Sequence, residues 1–258
     1  MQSQKTRHKE EGRVVSESLR RLYKDPQTAA RYLSERFGRL PWSVADKYER
    51  AAVAALIEKC RPRKVLDLAC GPGRITEGVS VPLGILADAN TAMLGESAGR
   101  GNGGWRPVCA DAFSLPFHDS TFDLVCCFRF LRHHYKTERE KILGEIRRVL
   151  VPAGRLAFDA LNAKMSKFAA RYAALNESKI HDEKYTPETL KQEMTACGFE
   201  IESLTPVMQH LRAYHIANIA ARHRFFPGLR RRLVELGERL PSRFPFSWVV
   251  TAAKAVTL

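Results

Sequence analysis

Short apolar runs alternate with helical stripes of apolar residues through the middle of the chain. Each run is bounded by turn residues, which is typical of buried β-strands. The predicted strands are 64–68, 84–87, 108–110, 122–128 and 155–160, and the predicted helices between them are 74–79, 91–99 and 138–150. A turn at 152–154 joins the last helix to the last of these strands. This order predicts a mostly parallel sheet with helices on both faces.

The flanks of this core carry further elements. They are a helix from Ser43 to Cys60, a helix over 163–176, a helix opened by Thr186 and Pro187, and strands at 199–204 and 246–255. Between the last two strands, 207–243 has a leucine stripe opposite a row of arginines. The stripe is Leu229, Leu233, Leu236 and Leu240, and the arginines are Arg230, Arg231, Arg232 and Arg239.

These elements predict an α/β fold with a seven-stranded, mostly parallel sheet, helices on both faces and a helical insertion before the last strand. We expect an N-terminal tail and flap over 1–43, followed by one domain over 44–258. Within that domain, 206–244 is predicted to be a helical cap inserted into the fold.

The composition is that of a globular protein with one main domain. The chain has 258 residues, of which 45% are hydrophobic and 27% charged. No stretch approaches the roughly 18 apolar residues of a membrane span, and the polar start lacks the apolar centre of a secretion signal. A cytoplasmic protein is therefore expected. The six cysteines form no CxxC pair, and His133 and His134 have no further ligand at metal-site spacing, so neither disulfides nor a bound metal are expected.

The positive charge lies mainly in the flanks. The net charge is +14, and residues 1–63 carry 15 Lys and Arg against 8 Asp and Glu. The middle, 64–160, has 12 against 11, and 161–258 has 15 against 9. Basic flanks suit a polyanionic partner or an anionic substrate, and they equally suit a solvated basic surface.

A glycine-rich turn follows the first strand. Gly71 and Gly73 lie between that strand and the predicted helix, where backbone N–H groups can approach a ligand closely. Asp88, at the end of the second strand, is placed to accept hydrogen bonds from ribose hydroxyls. A dinucleotide fingerprint would need a small residue at position 76, which is Thr76, and Pro72 removes one amide donor from the turn. The pattern favours an adenosine-containing cofactor other than a dinucleotide.

On these residues the chain resembles the class I S-adenosylmethionine-dependent methyltransferases, in particular the group that includes the ubiquinone and menaquinone biosynthesis enzymes. The resemblance covers about 64–160 and rests on five motifs in the family's order. They are VLDLACGPGR from Val65, DANTAML from Asp88, ADA with LPF from Ala110, STFDLV from Ser120 and EIRRVLVPAG from Glu145. The resemblance implies a Rossmann-like fold and S-adenosyl-L-methionine as the cofactor.

The resemblance also implies which residues hold the cofactor. Asp67, Gly71 and Gly73 would hold its methionine part, Asp88 the ribose and Asp111 the adenine amino group, with Met93 and Ala112 against the adenine ring. Met93 suits a core position equally well. The full predicted cofactor set is Asp67, Ala69, Gly71, Gly73, Asp88, Ala89, Met93, Asp111, Ala112 and Phe128. Ala69 stands where the family often has glycine, which suggests a less tight turn.

The segment after the fourth strand supplies the candidate catalytic residues. It keeps the double histidine common in the family, His133 and His134, and adds Arg129 and Arg132. Methyl transfer needs mainly alignment, so a general base is optional. Either histidine can serve as that base, because histidine titrates near neutrality; capping a helix or bonding the backbone is the alternative. The arginines would meet an anionic substrate or solvate a helix.

Two outer segments are candidate walls of the site. The aromatics Tyr32, Phe37 and Trp42 suit either a flap over the cofactor or packing against the core. The insertion contains Tyr214, His215, Phe225 and Phe226 and is the expected wall for an acceptor.

The sequence thus predicts a methyltransferase that acts on oxygen, carbon or nitrogen of a small molecule. The basic flanks are compatible with an anionic acceptor. The motif Asn/Asp-Pro-Pro-Tyr/Phe is absent after the fourth strand, which argues against base-amine methylation of nucleic acid. The alternatives are a tRNA or rRNA methyltransferase, motivated by the basic flanks, and a cofactor-binding regulator without turnover. A nicotinamide dehydrogenase is disfavoured by the incomplete fingerprint.

Overall fold

The structure is a computed structural model that describes residues 26–38, 42–97, 104–165, 181–211 and 227–255. The helices are α1 (Pro26–Phe37), α2 (Trp42–Cys60), α3 (Thr91–Ser97), α4 (Lys136–Val149), α5 (Pro187–Ala196) and α6 (Pro227–Arg239). The strands are β1 (Lys64–Leu68), β2 (Leu83–Asp88), β3 (Trp105–Cys109), β4 (Phe122–Cys127), β5 (Leu150–Asn162), β6 (Lys184–Tyr185), β7 (Phe199–Val207) and β8 (Ser247–Lys254). A 3-10 turn, Leu131–His133, lies between β4 and α4.

The eight strands of the described residues form one sheet in the order β3-β2-β1-β4-β5-β8-β7, with β6 paired to the end of β5. Strands β1 to β6 pair parallel with one another, whereas β8 is antiparallel to β5 and to β7. The two-residue β6 adds one strand to the seven expected. Because β2 and β4 flank β1 on opposite sides, the strand order reverses there, and such a reversal opens a crevice beyond the carboxyl ends of the strands.

Successive residues of the central strands pack on opposite faces of the sheet. Leu66 of β1 and Val125 of β4 belong to the apolar cluster beneath α4. Val65 and Leu124, their neighbours along the chain, belong to the cluster beneath α2. Because a strand side chain alternates in direction, both faces need a helical cover, and the predicted helices on both faces are confirmed.

The predicted helix over 74–79 is wrong. This stretch is a run of turns in which Gly73 and Gly78 adopt φ of 74° and 78°. A right-handed helix excludes such angles. In addition, the hydroxyl of Thr76 donates to the carboxylate of Asp67 at 2.8 Å, which holds the turns against the end of β1.

The predicted turn at 152–154 is a bulge inside β5. Along β5 the pairing jumps from Leu150 to Arg155 while β4 advances by only two residues. Ala153 adopts a positive φ of 58° within the bulge. The extra residues let the chain pass from α4 into β5 without an interruption of the sheet.

Three leucines of the predicted stripe face solvent, two of them in α6 and one just after it. Leu233, Leu236 and Leu240 are exposed, while Val234 and Glu238 are buried. The orientation follows from a hydrogen-bonding demand, because the carboxylate of Glu238 accepts the backbone N–H groups of the two residues after β7. These two hydrogen bonds hold the Glu238 side chain on the buried side of α6, and the leucines therefore lie on the opposite, exposed side.

Candidate functional site

A cleft opens where the strand order reverses, at the carboxyl ends of β1, β2 and β4. Its walls come from the loop after β1, the ends of β2 and β3, the segment after β4, and α1. Every residue predicted to bind the cofactor lines this cleft except Gly73, and both candidate histidines line it too. The topology thus brings together residues that are spread from Tyr32 to His134 along the chain.

The loop after β1 turns back on itself through three left-handed residues. Ala69, Gly71 and Gly73 have φ of 54°, 54° and 74°. A Cβ added to Gly71 would meet no atom within 4 Å, whereas one on Gly73 would lie 3.2 Å from the Cβ of Ser97. Gly71 therefore leaves its backbone open to a ligand, and Gly73 lets the loop pack closely against α3.

Ala69 adopts the left-handed conformation that favours glycine, so the alanine does not loosen the turn. We expect Ala69→Gly to raise the free energy of unfolding by about 1 kcal/mol, because the steric cost of a left-handed non-glycine residue is removed. Chemical denaturation measures this, and Ala153→Gly, at φ 58° in the β5 bulge, is the matched control that should gain a similar amount. A loss of stability in both variants would contradict the explanation.

The Asp88 carboxylate ties the loop to the end of β2. Its Oδ2 accepts the N–H of Gly71 and its Oδ1 accepts the N–H of Asn90, both at 2.8 Å. Both oxygens of this carboxylate therefore act as hydrogen-bond acceptors at the edge of the cleft. The next residue, Ala89, also lines the cleft.

Asp67 lies at the floor of the cleft, where it is buried. Its carboxylate accepts the hydroxyl of Thr76 at 2.8 Å. Burial raises the pKa of Asp67 to about 7, an effect that the Thr76 hydrogen bond and the positive charge of Arg74 partly offset. A carboxyl poised near neutrality is stabilised in its charged form by a cationic ligand.

The β3 end of the cleft is apolar apart from one carboxylate. Met93 of α3 and Ala112 are buried there, and Phe113 lies beside them in the lining. The Oδ1 of Asp111 accepts the N–H of Phe113 at 3.0 Å. Met93 is thus a buried residue that also lines the cleft. This end suits a flat ring that carries a hydrogen-bond donor at its edge.

The two histidines have different surroundings. His133 Nδ1 lies 3.0 Å from the carbonyl oxygen of His181 and 3.0 Å from Asp182 Oδ1. These contacts fix the ring through one nitrogen, which is how a histidine base is usually oriented. The described contacts of the His133 ring are therefore made by Nδ1.

His134 is buried between two aromatic rings. Its ring centroid lies 4.5 Å from that of Phe130 and 5.6 Å from that of Phe113, both edge-on. Burial lowers the pKa of His134 to about 4, although the charge of Glu138 acts in the opposite direction. The imidazole is therefore neutral at physiological pH and packs as part of the wall.

Arg129 and Arg132 are buried, so the interpretation that they solvate a helix is wrong. Arg132 pairs with Asp159 at 3.5 Å and lies 3.1 Å from an oxygen of Asp182. Arg129 Nη2 lies 3.1 Å from Glu49, a buried carboxylate of α2. Both cations thus belong to the interior on the histidine side of the cleft.

Glu49 holds two guanidinium groups at once. Its Oε2 lies 2.8 Å from Arg74 Nη2, and its Oε1 lies 3.1 Å from Arg129 Nη2. Asp46, one turn earlier in α2, lies 2.7 Å from Arg74 Nη1. The cluster joins α2 to the turn region after β1 and to the end of β4, and it therefore supports the cleft from below.

The N-terminal aromatics divide between the two roles considered for them. Tyr32 of α1 lines the cleft. Phe37 is buried, with the guanidinium carbons of Arg74 and Arg129 at 4.3 and 4.9 Å from its ring centroid. Trp42 packs edge-on against Phe246 at 5.8 Å. Only Tyr32 therefore suits the flap.

Several lining residues escaped the sequence analysis. Phe130 lines the cleft beside Phe128 and Arg129, which the sequence had singled out, and α1 adds Arg36. No motif marks α1, because its helical pattern contains few apolar positions. The predicted wall residues Tyr214, His215, Phe225 and Phe226 lie outside the described residues, as does most of the predicted helix over 163–176.

Comparison with known proteins gives a consistent family assignment. Residues 66–158 match a family described as a methyltransferase domain. The chain is 35% identical to the ubiquinone/menaquinone biosynthesis C-methyltransferase of Idiomarina loihiensis, in an alignment that covers 54% of this chain and 67% of that protein.

Two solved structures share the fold. The chain resembles the 1,6-didemethyltoxoflavin-N1-methyltransferase of Burkholderia thailandensis with a TM-score of 0.56 at 17% identity, over 88% of this chain and 87% of that one. It resembles the magnesium protoporphyrin IX methyltransferase of Synechocystis PCC 6803 with a TM-score of 0.56 at 13% identity, over 82% and 84%. At sequence identities this low, these two structural similarities show a shared fold and nothing more.

Proposed function

The chain belongs to the class I S-adenosylmethionine-dependent methyltransferases, and we propose that it methylates a small-molecule acceptor bound in the cleft beside His133. S-adenosylmethionine is the cofactor, and it supplies a methyl group on a positively charged sulfur that a nucleophilic acceptor atom attacks in line. This membership also decides against a dinucleotide cofactor. The single observation that carries the proposal is that one cleft contains both the cofactor cradle and an oriented histidine.

The cradle fits the donor in its chemistry. The open space beside Gly71 admits a ligand to the backbone, and the Asp88 carboxylate, which lines the cleft, would accept the ribose hydroxyls. Asp111 would meet the adenine amino group, with Met93 and Ala112 against the ring. Ala69, Ala89 and Phe128 would complete the surface around the donor, and Gly73 would shape the loop from behind.

The histidine side of the cleft is the proposed acceptor position. With Nδ1 fixed by the His181 carbonyl and Asp182, His133 would take a proton from the acceptor through Nε2. Phe130 offers an aromatic surface beside it. A small molecule with an ionisable hydroxyl, amine or activated carbon suits these groups.

Donor binding should strengthen as the pH rises through about 7 and level off above it. The reason is that the pKa of Asp67 is raised to about 7, so the carboxyl is neutral below that pH and attracts the cationic donor only after it loses its proton. Isothermal titration with S-adenosylmethionine between about pH 6 and 8.5 measures the effect. Asp67→Asn should flatten the profile, and the uncharged 5′-methylthioadenosine is the ligand control. An equal slope in the Asn variant would contradict the assignment.

Transfer of a labelled methyl group tests the proposed function. The protein is incubated with methyl-labelled S-adenosylmethionine and a cell extract, and small molecules and RNA are separated before mass spectrometry. We expect label in a small molecule. Label confined to tRNA or rRNA would overturn the proposal in favour of the RNA alternative that the basic flanks suggested.

A further inference from the structure

Arg129 is a buried cation whose hydrogen-bonding groups are only partly used. Its side chain is 8% exposed, and its Nη2 lies 3.1 Å from Glu49 Oε1. Its Nε and Nη1 are buried without a hydrogen-bond partner. Buried donors of this kind are rare, and each calls for an explanation. Because Arg129 lines the cleft, a ligand bound there is within the reach of this side chain.

The charge of Arg129 is also incompletely balanced. Its partner Glu49 is shared with Arg74, which pairs in addition with Asp46. Burial lowers the pKa of Arg129, and the charges of Arg132 and Arg74 act in the same direction. Arg132 has carboxylates of its own in Asp159 and Asp182. The positive charge of Arg129 is therefore not fully balanced by Glu49, and an anion bound beside it would complete the balance.

The guanidinium is held in place before any ligand binds. The ring of Phe37 lies 4.9 Å from its central carbon, and the backbone N–H of Arg129 donates to Asp159. The residue adopts a φ of 54°, a strained conformation for an arginine. Strain of this kind persists only where the surroundings impose it, and it is concentrated at functional sites.

We propose that Arg129 is an anion-binding residue of the cleft, and that it takes a carboxylate or a similar oxyanion through its unpaired donors. This rests on the proposed function, because the anion belongs to one of the two reactants. Arg129 follows β4, which pairs with β1 next to the cofactor loop, and it precedes His133. The carboxylate can therefore come from the methionine part of the donor or from the acceptor.

Calorimetric titration of the full chain distinguishes these sources. The ligands are S-adenosylhomocysteine, which has the amino-acid carboxylate, and 5′-methylthioadenosine, which lacks it. If the donor supplies the anion, Arg129→Gln should bind the first about 10- to 100-fold more weakly and the second unchanged, as expected for a charged hydrogen bond. If the acceptor supplies it, both affinities stay unchanged, and benzoate should bind the S-adenosylhomocysteine complex of the wild type at least about tenfold more tightly than that of the variant.

The proposal is overturned if Arg129→Gln matches the wild type with all three ligands, or if it weakens both adenosine ligands equally. Arg155→Gln, which removes an exposed partner of Glu202, is the matched control, and Arg129→Lys, which retains the charge, tests whether the fold survives. Failure of the wild type to bind S-adenosylhomocysteine would instead count against the proposed function.

The solvent face of α6 carries a second, independent inference. This face comprises Leu233 and Leu236 of α6, exposed by 48% and 57%, and Leu240 and Phe244 from the segment just after α6, exposed by 57% and 51%. Large apolar side chains grouped in this way usually mark a surface that contacts something else. The grouping is the leucine stripe of the sequence, extended by one aromatic residue.

The exposed charged side chains described beside these apolar residues are arginines. Arg232, Arg239 and Arg243 are exposed, whereas the two carboxylates of the helix are turned away. Glu235 lies 2.7 Å from Lys47 of α2, and Glu238 is buried against the backbone after β7. Leucines flanked by arginines are typical of a helix that lies in the surface of an anionic membrane.

We propose that this face of α6 binds an anionic membrane surface. Among the described residues no helix has the length and apolarity to cross a membrane. Sedimentation of the full chain with vesicles of phosphatidylcholine and phosphatidylglycerol tests the proposal. We expect binding that salt weakens, and at least about tenfold weaker binding for Leu233→Ser/Leu236→Ser/Leu240→Ser.

Arg155→Gln is again the matched control, because it removes one exposed cation elsewhere. Equal vesicle binding by the triple variant and the wild type would overturn the proposal. Binding to neutral vesicles as strong as to anionic ones, or a concentration-dependent dimer without vesicle binding, would do the same, the dimer pointing to a second copy as the occupant.

Discussion

Replacement of Glu49 by alanine should lower the free energy of unfolding by about 3–5 kcal/mol, the usual cost of removing one partner from a buried ion pair. The carboxylate lies 2.8 Å from Arg74 Nη2 and 3.1 Å from Arg129 Nη2, and all three side chains are buried. Its removal leaves Arg129 without any carboxylate within ion-pair distance among the pairs described. The burial of that charge makes the loss large.

Urea denaturation of the two proteins measures this difference. Glu235→Ala is the matched control, since it removes a glutamate from an exposed pair with Lys47 and should cost only about 0–1 kcal/mol. The double variant Glu49→Ala/Arg129→Met should recover part of the loss, because it removes the unbalanced charge as well. A Glu49→Ala cost no greater than that of the control would show that the cluster contributes nothing to stability.

Replacement of His133 by alanine should lower kcat about 10²- to 10⁴-fold, the range for loss of a general base. Its Nδ1 is fixed at 3.0 Å from both the His181 carbonyl and Asp182, so the remaining nitrogen is available to the acceptor. Binding of S-adenosylhomocysteine should be unchanged, because no part of the cofactor cradle is altered. The assay uses the acceptor identified by label transfer.

His134→Ala is the matched control for this prediction. Burial lowers the pKa of His134 to about 4, and its ring packs against Phe130 and Phe113, so its loss should reduce stability more than rate. Asp182→Asn should reproduce part of the His133→Ala effect by releasing the ring. A kcat for His133→Ala close to the wild-type value would exclude this histidine as the base.

The clustering of the predicted cofactor residues in one cleft was readable from sequence because these residues follow the strands directly. Asp67, Asp88 and Asp111 each lie at or after the carboxyl end of a parallel strand, and such ends meet along one edge of the sheet. Once the strands were recognised by their apolar runs, the proximity of these carboxylates followed. The sheet and the helices on both faces are confirmed for the same reason.

Local rules failed where a distant partner decided the conformation. The stretch 74–79 has helical composition, yet the Thr76 to Asp67 hydrogen bond and two left-handed glycines keep it in turns. The leucines of α6 form a regular stripe, yet Glu238 turns inward because it satisfies backbone N–H groups after β7. In both cases a buried polar group overrides the apolar pattern, since an unpaired one is costly.

The sequence by itself therefore determined the sheet, the family and the methyl donor, because these depend on motifs whose residues are close along the chain. Only the tertiary structure decided which histidine is oriented, and that Glu49 supports the cleft through Arg129, 80 residues away. Such pairings depend on how helices pack on the sheet. The spacing of residues in the sequence does not predict these pairings. A charged group needs a partner only when it is buried, and the fold determines which residues are buried beside it.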